Sequence, residues 1–129
     1  MNQTYKPEGY NSVSSYLVVD DAQRMIELLK VIFDARELRK FPRGDGKIAH
    51  VEVLIDDTVI MMCDSTENAK ASKSMLHVYV RDVYKTFDLA MANGCTATEK
   101  PVSREGDPDT RGGFLDYSGN YWAIGTQNK

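Results

Sequence analysis

Cysteine is scarce in this sequence, which has only two such residues among 129. Cys63 and Cys95 are too few for a disulfide framework, and they do not form a CxxC pair. Cys63 ends an apolar run and Cys95 follows Gly94, positions at which cysteine usually packs as a small apolar side chain. Both are therefore predicted to be reduced thiols rather than nucleophiles.

Long apolar runs and basic blocks are also missing. The longest uninterrupted apolar run is the five residues from Val59 to Cys63, far too short to span a bilayer, and the N-terminus MNQTYKPEGY lacks the apolar centre of a signal peptide. The formal net charge is -3 and no Lys/Arg-rich segment stands out, which argues against nucleic acid and anionic membranes as partners. We expect a cytoplasmic protein that binds neither nucleic acid nor membrane.

The composition is that of an ordinary globular protein. Hydrophobic residues make up 42% and charged residues 27% of the chain, values far from those of a disordered or fibrous protein. The length suits one compact domain. Residues 1–9 are predicted to form a flexible tail, and residues 10–129 a single domain.

The chain contains two similar halves. The segments YLVVDDAQRMIELLKVIF and HVYVRDVYKTFDLAMANG each begin with apolar residues, reach Val-x-Asp and then change to helical spacing, at an offset of about 61 residues. Asp20 or Asp21 is predicted to cap the first helix, and Asp82 the second, which Asn93-Gly94 ends. The apolar stripes predicted on the two helices are Ala22, Met25, Ile26, Leu29, Ile32 and Phe33, and Val83, Phe87, Ala90 and Met91.

Three short strand-like segments follow each helix. They are predicted at about residues 36–43, 47–55 and 58–63, and again at about 96–103, 111–116 and 120–126. The repeated order is βαβββ, so we predict an α+β protein whose two modules form a curved mixed sheet around a cleft. Module one covers about residues 10–63, a hydrophilic linker covers 64–74, and module two covers 75–126.

Side-chain alternation along the strands predicts which residues line the open side of each module. The residues predicted to pack under the helices are Leu17, Val19, Ala49, Val51, Val53, Ile55, Leu76, Val78, Val80, Trp122 and Ile124. Those predicted on the open side are Ser14, Tyr16, Val18, His50, Glu52, Met75, His77, Tyr79, Tyr121, Ala123 and Gly125, with Met61 or Met62 beside them.

With these features the chain resembles the vicinal oxygen chelate superfamily, which includes glyoxalase I, bleomycin-resistance proteins and extradiol dioxygenases. The resemblance rests on the Val-x-Asp junctions, on FDARELRKFPRGDGKIAHVEVLIDD and on FLDYSGNYWAI. The last segment is similar to the family's Asp-Pro-x-Gly-Asn hairpin, with Tyr117 in the place of the proline. The resemblance covers about Gly9 to Thr126, and it is nearest to the glyoxalase-like branch related to bleomycin-resistance proteins.

The resemblance also implies where a catalytic metal would lie. Metal-using relatives hold a divalent ion with His and Glu side chains on the first, fourth, fifth and eighth strands, where it acts as a Lewis acid. The matching positions here are Ser14, Met75, Ala123 and a place within Val59-Ile60-Met61-Met62. None of them supplies the imidazole, carboxylate or thiolate that such an ion needs. We therefore expect no metal and no other cofactor.

The candidate binding residues each have more than one interpretation. His77 is interpreted as a pocket-wall residue, the alternatives being a structural or dimer-contact histidine and a metal ligand. His50 and Glu52 lie two residues apart on one face of a strand. They are interpreted either as a binding pair or as a cross-strand polar pair. Arg111 either contacts a ligand anion or is a solvated loop charge. The residues predicted to bind a ligand are Tyr16, His50, Glu52, Met62, His77, Tyr79, Arg111 and Tyr121.

The function predicted on this basis is metal-free binding of a small drug or metabolite by a homodimer. The aromatic residues of the set suit a pocket for a flat molecule, and they also suit a dimer contact. One alternative function is a metal-dependent lyase, isomerase or dioxygenase with a displaced site at His50, Glu52 and His77. Another is a regulatory or interaction module without a ligand. The sequence leaves enzymatic activity open, and no catalytic residue is assigned.

Overall fold

The structure, a computed structural model, describes residues 5–129, which contain eight strands and two helices. The elements are β1 (Tyr16–Val19), α1 (Ala22–Phe33), β2 (Arg36–Pro42), β3 (Ile48–Ile55), β4 (Thr58–Asp64), β5 (Met75–Tyr79), α2 (Val83–Ala92), β6 (Thr96–Ser103), β7 (Asp109–Leu115) and β8 (Tyr121–Gln127). The order βαβββ occurs twice, which confirms the predicted α+β fold of two modules. Of the predicted tail, residues 1–4 lie outside the described part, and residues 5–9 contain no helix or strand.

Each module forms its own four-stranded mixed sheet. The strand order is β1-β4-β3-β2 in the first sheet and β5-β8-β7-β6 in the second, so the first strand of each module pairs in parallel with its last strand. The remaining neighbours are antiparallel. The chain divides into two compact units: the first takes the residues up to Lys30 and Asp34–Ala71, and the second takes Val31–Phe33 and Ser72–Lys129.

Helix α1 begins after the second of two adjacent aspartates. The Asp21 side chain accepts a hydrogen bond from the backbone N–H of Arg24 at 3.2 Å, which makes Asp21 the N-cap. The helix ends where Asp34 adopts a left-handed conformation with φ of 55°. The predicted apolar stripe is buried, except that Phe33 is half-buried; its buried members are Ala22, Met25, Ile26, Leu29 and Ile32.

Helix α2 is bounded as predicted. The Asp82 carboxylate accepts hydrogen bonds from the backbone N–H groups of Tyr84 and Lys85, and Gly94 follows the helix in the left-handed region with φ of 88°. The helices have twelve and ten residues. Within residues 5–129 no helix is long and apolar enough to cross a bilayer.

The buried carboxylate of Asp64 joins two parts of the first unit. Its Oδ1 accepts from the backbone N–H of Ala22 and its Oδ2 from that of Ile48, both at 2.7 Å. The carboxylate thereby satisfies a donor at the start of α1 and another at the start of β3. β4 continues through Asp64, which pairs with Val19 of β1, although the sequence pattern predicts that Asp64 belongs to the linker.

Asp116 has the corresponding role in the last hairpin of the second unit. Its carboxylate accepts from the backbone N–H groups of Ser118 and Asn120 at 2.8 and 3.0 Å, and from the indole Nε1 of Trp122 at 2.8 Å. Trp122 is fully buried, and its ring centroid lies 5.3 Å from that of Phe33. Burial of a side chain of this size stabilises the fold by about 1.5–3 kcal/mol or more.

Strand alternation is as predicted for most positions. Leu17 and Val19 of β1 are buried, as are Trp122 and Ile124 of β8. Ala49 was predicted to face the core and is exposed, which is a correction. Its neighbour Ile48 is buried instead, because the register between β2 and β3 shifts here: Pro42 pairs with Ile48 and Phe41 pairs with His50, so Ala49 has no partner between them.

Removal of the Asp116 carboxylate is expected to destabilise the protein strongly. Asp116→Ala leaves the buried Trp122 and Asn120 donors without an acceptor, and each unsatisfied buried group costs about 1–3 kcal/mol. The free energy of unfolding, measured by urea denaturation, should fall by at least about 2 kcal/mol. The control Asp88→Ala removes an exposed carboxylate from α2 and should change it by less than about 0.5 kcal/mol. Equal effects of the two substitutions would contradict this role of Asp116.

Candidate functional site

The candidate site in the first unit lies on the open face of its sheet, which we define as the side opposite the buried Leu17 and Val19. Strand register brings three residues of this face into one row: Tyr16 of β1 pairs with Met61 of β4, which pairs with Glu52 of β3. Side chains in one row point to the same side of a sheet. Glu52 therefore lies in the middle of the face, with Tyr16 two strands away.

Glu52 is a buried carboxylate bound by three side chains. It is only 2% exposed. Its Oε1 accepts from Tyr10 Oη at 2.5 Å and from Arg39 Nε at 2.7 Å, while its Oε2 bonds Arg39 Nη2 at 3.1 Å and His50 Nε2 at 2.9 Å. Arg39 thus binds both oxygens in the two-pronged geometry that makes guanidinium–carboxylate pairs strong.

These partners keep Glu52 ionised. The Arg39 hydrogen bonds are the main influence, and with those from Tyr10 and His50 they lower the pKa of Glu52 to about 2, although burial acts in the opposite direction. Conversely, burial and the neighbouring Glu52 carboxylate raise the pKa of Tyr10 above its usual value. Around neutral pH the cluster therefore contains a carboxylate, a guanidinium and a protonated phenol.

His50 connects Glu52 to Tyr16. Its Nδ1 lies 2.9 Å from Tyr16 Oη, and its Nε2 lies 2.9 Å from Glu52 Oε2. The His50 ring also lies between two aromatic rings, with centroids 5.6 Å from Tyr16 and 6.0 Å from Phe41. Burial, followed by the influence of Cys63, raises the pKa of Tyr16, so its hydroxyl keeps its proton at neutral pH. We call the series Glu52–His50–Tyr16 the relay.

Three members of this cluster were missed by the sequence reading: Tyr10, Arg39 and Phe41. Tyr10 precedes the first strand and carries no periodic signal. Arg39 and Phe41 belong to β2, whose sequence RELRKFP lacks an alternation of apolar and polar residues, and the register of β2 shifts between Glu37 and Lys40. The order of polar residues along an irregular edge strand does not indicate which face each side chain takes.

Met62 is not on the open face, which corrects its place among the predicted binding residues. It is fully buried, and it pairs with Leu17 of β1 and Val51 of β3, both of which are core residues. Its neighbour Met61 takes the open side with Tyr16 and Glu52. The run Val59-Ile60-Met61-Met62 is apolar throughout and therefore has no period-2 pattern to distinguish the two methionines.

The open face of the second unit carries the other predicted residues. His77 and Tyr79 of β5 are exposed, and their rings meet edge to face with centroids 4.7 Å apart. Tyr79 Oη donates a 2.7 Å hydrogen bond to Asp109 Oδ2, and this bond is the main reason that the pKa of Tyr79 is raised. Asp109 itself is buried.

Arg111 is paired with two carboxylates. Its Nε lies 2.8 Å from Asp107 Oδ2, and its Nη2 lies 2.9 Å from Asp109 Oδ2. The hydrogen bond from Arg111 lowers the pKa of Asp107. The predicted anion contact would therefore have to compete with two ion pairs, one of which involves a buried partner. The structure brings Tyr79 and Arg111 together through Asp109.

Tyr121 fills the space above a glycine on the same face. A Cβ atom at Gly113 would lie 2.7 Å from both Cε1 and Oη of the Tyr121 ring, a distance that side chains do not tolerate. Gly113 pairs with Ala123, which pairs with His77. The central row of this face thus consists of small residues beside His77, and the aromatic ring of Tyr121 lies over one of them.

The residues at the expected metal positions do not fit a divalent ion. Ser14, Met75 and Ala123 offer a hydroxyl, a thioether and a methyl group, and the Val59–Met62 run offers no carboxylate. The displaced set also fits poorly, since both ring nitrogens of His50 and both oxygens of Glu52 already have partners. Among residues 5–129 no group of three or more His, Cys, Asp or Glu side chains is arranged to hold a metal.

Comparison with known proteins identifies the class to which this fold belongs. The sequence profile described as "Glyoxalase/Bleomycin resistance protein/Dioxygenase superfamily" matches residues 9–124. The chain therefore belongs to this superfamily, as its resemblance had implied. Among relatives, the uncharacterized protein Mb0911c of Mycobacterium bovis is 30% identical over 125 residues, a match that covers 88% of this chain and 82% of the relative.

Solved structures share the fold at lower identity. TioX from Micromonospora sp. ML1 matches with a TM-score of 0.75 and 19% identity, over 92% of this chain and 99% of that one. The fosfomycin resistance protein FosX from Mesorhizobium loti matches with a TM-score of 0.66 and 19% identity, over 92% of each chain. FosX from Listeria monocytogenes, in complex with Mn(II) and sulfate, matches with a TM-score of 0.70 and 14% identity, over 92% and 90%.

The low pKa of Glu52 predicts an acid-sensitive contribution to stability. A carboxyl group whose pKa is lower in the folded state stabilises the fold above its unfolded-state pKa of about 4.3, and this contribution is lost as pH falls toward about 2. Glu52→Gln should therefore lower the free energy of unfolding at neutral pH and should make its decline between about pH 5 and pH 2 shallower.

The measurement is the urea midpoint as a function of pH, and Glu67→Gln is the control. Glu67 is an exposed carboxylate in the segment of sequence that follows β4, and its substitution removes the same type of group without disturbing the Glu52 cluster. Parallel profiles for wild type and Glu52→Gln would show that Glu52 is not held ionised by its neighbours.

Proposed function

We propose that this protein binds a small drug or metabolite without a resident metal. The observation that carries this proposal is the replacement of every expected metal ligand, at Ser14, Met75, Ala123 and the Val59–Met62 run, by a residue that does not bind one. The open faces retain groups suited to an organic ligand, namely exposed aromatic rings together with phenol and imidazole groups.

The solved relatives support a small molecule as the ligand. FosX proteins are named for resistance to fosfomycin, and one of them is complexed with Mn(II) and sulfate. At identities below 20% they share the fold with this chain and do not specify its ligand. We further propose that residues 10–129 act as one ligand-binding domain, that the protein is a cytoplasmic homodimer, and that Tyr16, His50, His77, Tyr79, Arg111 and Tyr121 belong to its binding surfaces.

A displaced metal site is the less favoured function. It would need His50 and Glu52 to exchange their present hydrogen bonds for bonds to a metal. Removal of Glu52 from Arg39 would also leave a guanidinium without its carboxylate partner. A regulatory module without any ligand is the remaining alternative, and the two experiments below separate all three.

Metal analysis tests the metal-free part of the proposal. Protein purified without a histidine tag should contain only substoichiometric iron, zinc and manganese by elemental analysis. Incubation with a chelator should leave its melting temperature unchanged, because no metal contributes to folding. Stoichiometric metal that is lost in a His77→Ala variant, and kept in a Lys70→Ala control, would favour the enzyme instead.

A ligand screen tests binding itself. Thermal unfolding is followed with a broad panel of drugs and metabolites, each in large excess. A ligand present at about 100 times its Kd stabilises the folded state by about 2.7 kcal/mol, which should raise the melting temperature by roughly 10 °C. A panel that produces no such rise would favour a module without a small-molecule ligand.

A further inference from the structure

The relay differs from the buried carboxylate sites at Asp64 and Asp116, and in its phenol and guanidinium partners it is similar to the one at Asp109. Asp64 and Asp116 accept hydrogen bonds from backbone N–H groups, and so they hold helix, strand and turn segments in place. Within residues 5–129, the donors to Glu52 are the side chains of Tyr10, Arg39 and His50. No backbone donor of that range depends on it, although a buried carboxylate is expensive to maintain. Its partners all lie on the open face, which points to a role at that face.

The donor and acceptor roles along the relay follow from the charge of Glu52. An ionised carboxylate only accepts hydrogen bonds, so His50 Nε2 must carry the proton that it shares with Glu52 Oε2. In a neutral imidazole the other nitrogen is then an acceptor. When the His50 ring is neutral, its Nδ1 accepts from Tyr16 Oη across 2.9 Å. The hydroxyl proton of Tyr16 is committed to His50.

This arrangement leaves Tyr16 with an oxygen that accepts and does not donate. A phenol oxygen has one proton and two acceptor lone pairs. The other neighbour that influences Tyr16 is the Cys63 thiol, and because its effect is to raise the pKa of Tyr16, it does not act as a donor to the phenol oxygen. At least one lone pair is left for a ligand, and Tyr16 is 47% exposed. The relay thus ends at the exposed Tyr16 Oη, which can accept a hydrogen bond.

The surroundings of that acceptor suit a flat ring. Phe41 is 51% exposed and lies on the other side of His50 from Tyr16. The cluster contains one cation, Arg39, and one anion, Glu52, and these form a direct ion pair that has no net charge. An uncharged planar molecule would therefore find apolar ring surface together with one directed hydrogen-bond acceptor.

We infer that the relay selects ligands that present a hydrogen-bond donor on a planar ring to Tyr16 Oη, and that His50 and Glu52 act as positioning residues for this selection. The inference rests on the proposed function, since it specifies the chemistry of a small-molecule ligand. It differs from the metal-based recognition of the fold family because the protein offers an oriented phenol oxygen to the ligand.

The first experiment determines the tautomer of His50. The chain has only two histidines, His50 and His77, so the ring nitrogen signals of the labelled protein are assigned by comparison with His50→Gln. At neutral pH the nitrogen NMR spectrum should show His50 protonated at Nε2 and unprotonated at Nδ1. A proton on Nδ1 would make Tyr16 a donor toward the ligand and would overturn the inference.

The second experiment compares indole with benzofuran by NMR titration. The two probes have nearly the same shape, but only indole carries an N–H donor. One neutral hydrogen bond contributes about 0.5–1.5 kcal/mol, so wild type should bind indole roughly 2- to 12-fold more tightly than benzofuran. Tyr16→Phe should reduce this ratio to about one while it leaves the benzofuran affinity nearly unchanged. The matched control Tyr84→Phe, which removes an exposed phenol from α2, should keep the wild-type ratio.

Glu52→Gln provides a second variant that tests the relay itself. A glutamine amide can donate to His50 Nε2, which would move the ring proton to Nδ1 and turn Tyr16 into a donor toward the ligand. His50 would then occupy one lone pair of the Tyr16 oxygen, and the indole preference should fall although Tyr16 is still present. An unchanged preference in this variant, with the fold intact by circular dichroism, would contradict the positioning roles of His50 and Glu52.

The outcomes separate this inference from the proposed function. If the wider panel yields ligands but wild type does not distinguish indole from benzofuran, only the donor selection is wrong. If no compound of any kind binds, the proposed function fails as well. A dimer that dissociates in a Phe41→Ser variant, as measured by light scattering, would show that a second copy covers this face, and that result would also overturn the inference.

Discussion

The parallel pairing of β1 with β4, repeated by β5 with β8, is the constraint on which the rest of the structure depends. Each module has to bring its first strand back beside its last one, with a helix and two strands in between. Parallel neighbours require a long connection of this kind. The pairing fixes the register of Tyr16 with Met61 and of His77 with Ala123, and hence which side chains lie together on the open faces.

The two modules share this strand pairing, but different side chains lie on their open faces. In the first sheet one row of the open face reads Tyr16, Met61 and Glu52, and in the second the corresponding row reads His77, Ala123 and Gly113. The first face is filled by a charged and hydrogen-bonded cluster around Glu52. The second has small residues in its centre, with the Tyr121 ring over Gly113. The two modules therefore have the same backbone pairing but different side-chain chemistry on their open faces.

The buried carboxylates fall into two groups that residue type alone does not distinguish: one group has a structural role, and the other lies on the open faces. Asp64 and Asp116 satisfy backbone donors at element ends, where an unpaired N–H would be costly. Glu52 and Asp109 instead bind phenol and guanidinium groups on the open faces. The second pair therefore orients side chains on the open faces, and the first pair holds the scaffold that supports them.

The sequence by itself determined the duplicated βαβββ order, the helix caps and most strand faces, because those features follow from periodicity and local backbone chemistry within a few residues. For the same reason, alternation along the strands predicted that Tyr16, His50 and Glu52 lie on the open side. Only the tertiary structure decided that Met61 rather than Met62 faces outward, that Ala49 is displaced by a register shift, and that Tyr10 and Arg39 bind Glu52. These outcomes depend on pairing between strands distant in sequence, and neither a uniformly apolar run nor an irregular edge strand records its partner's register.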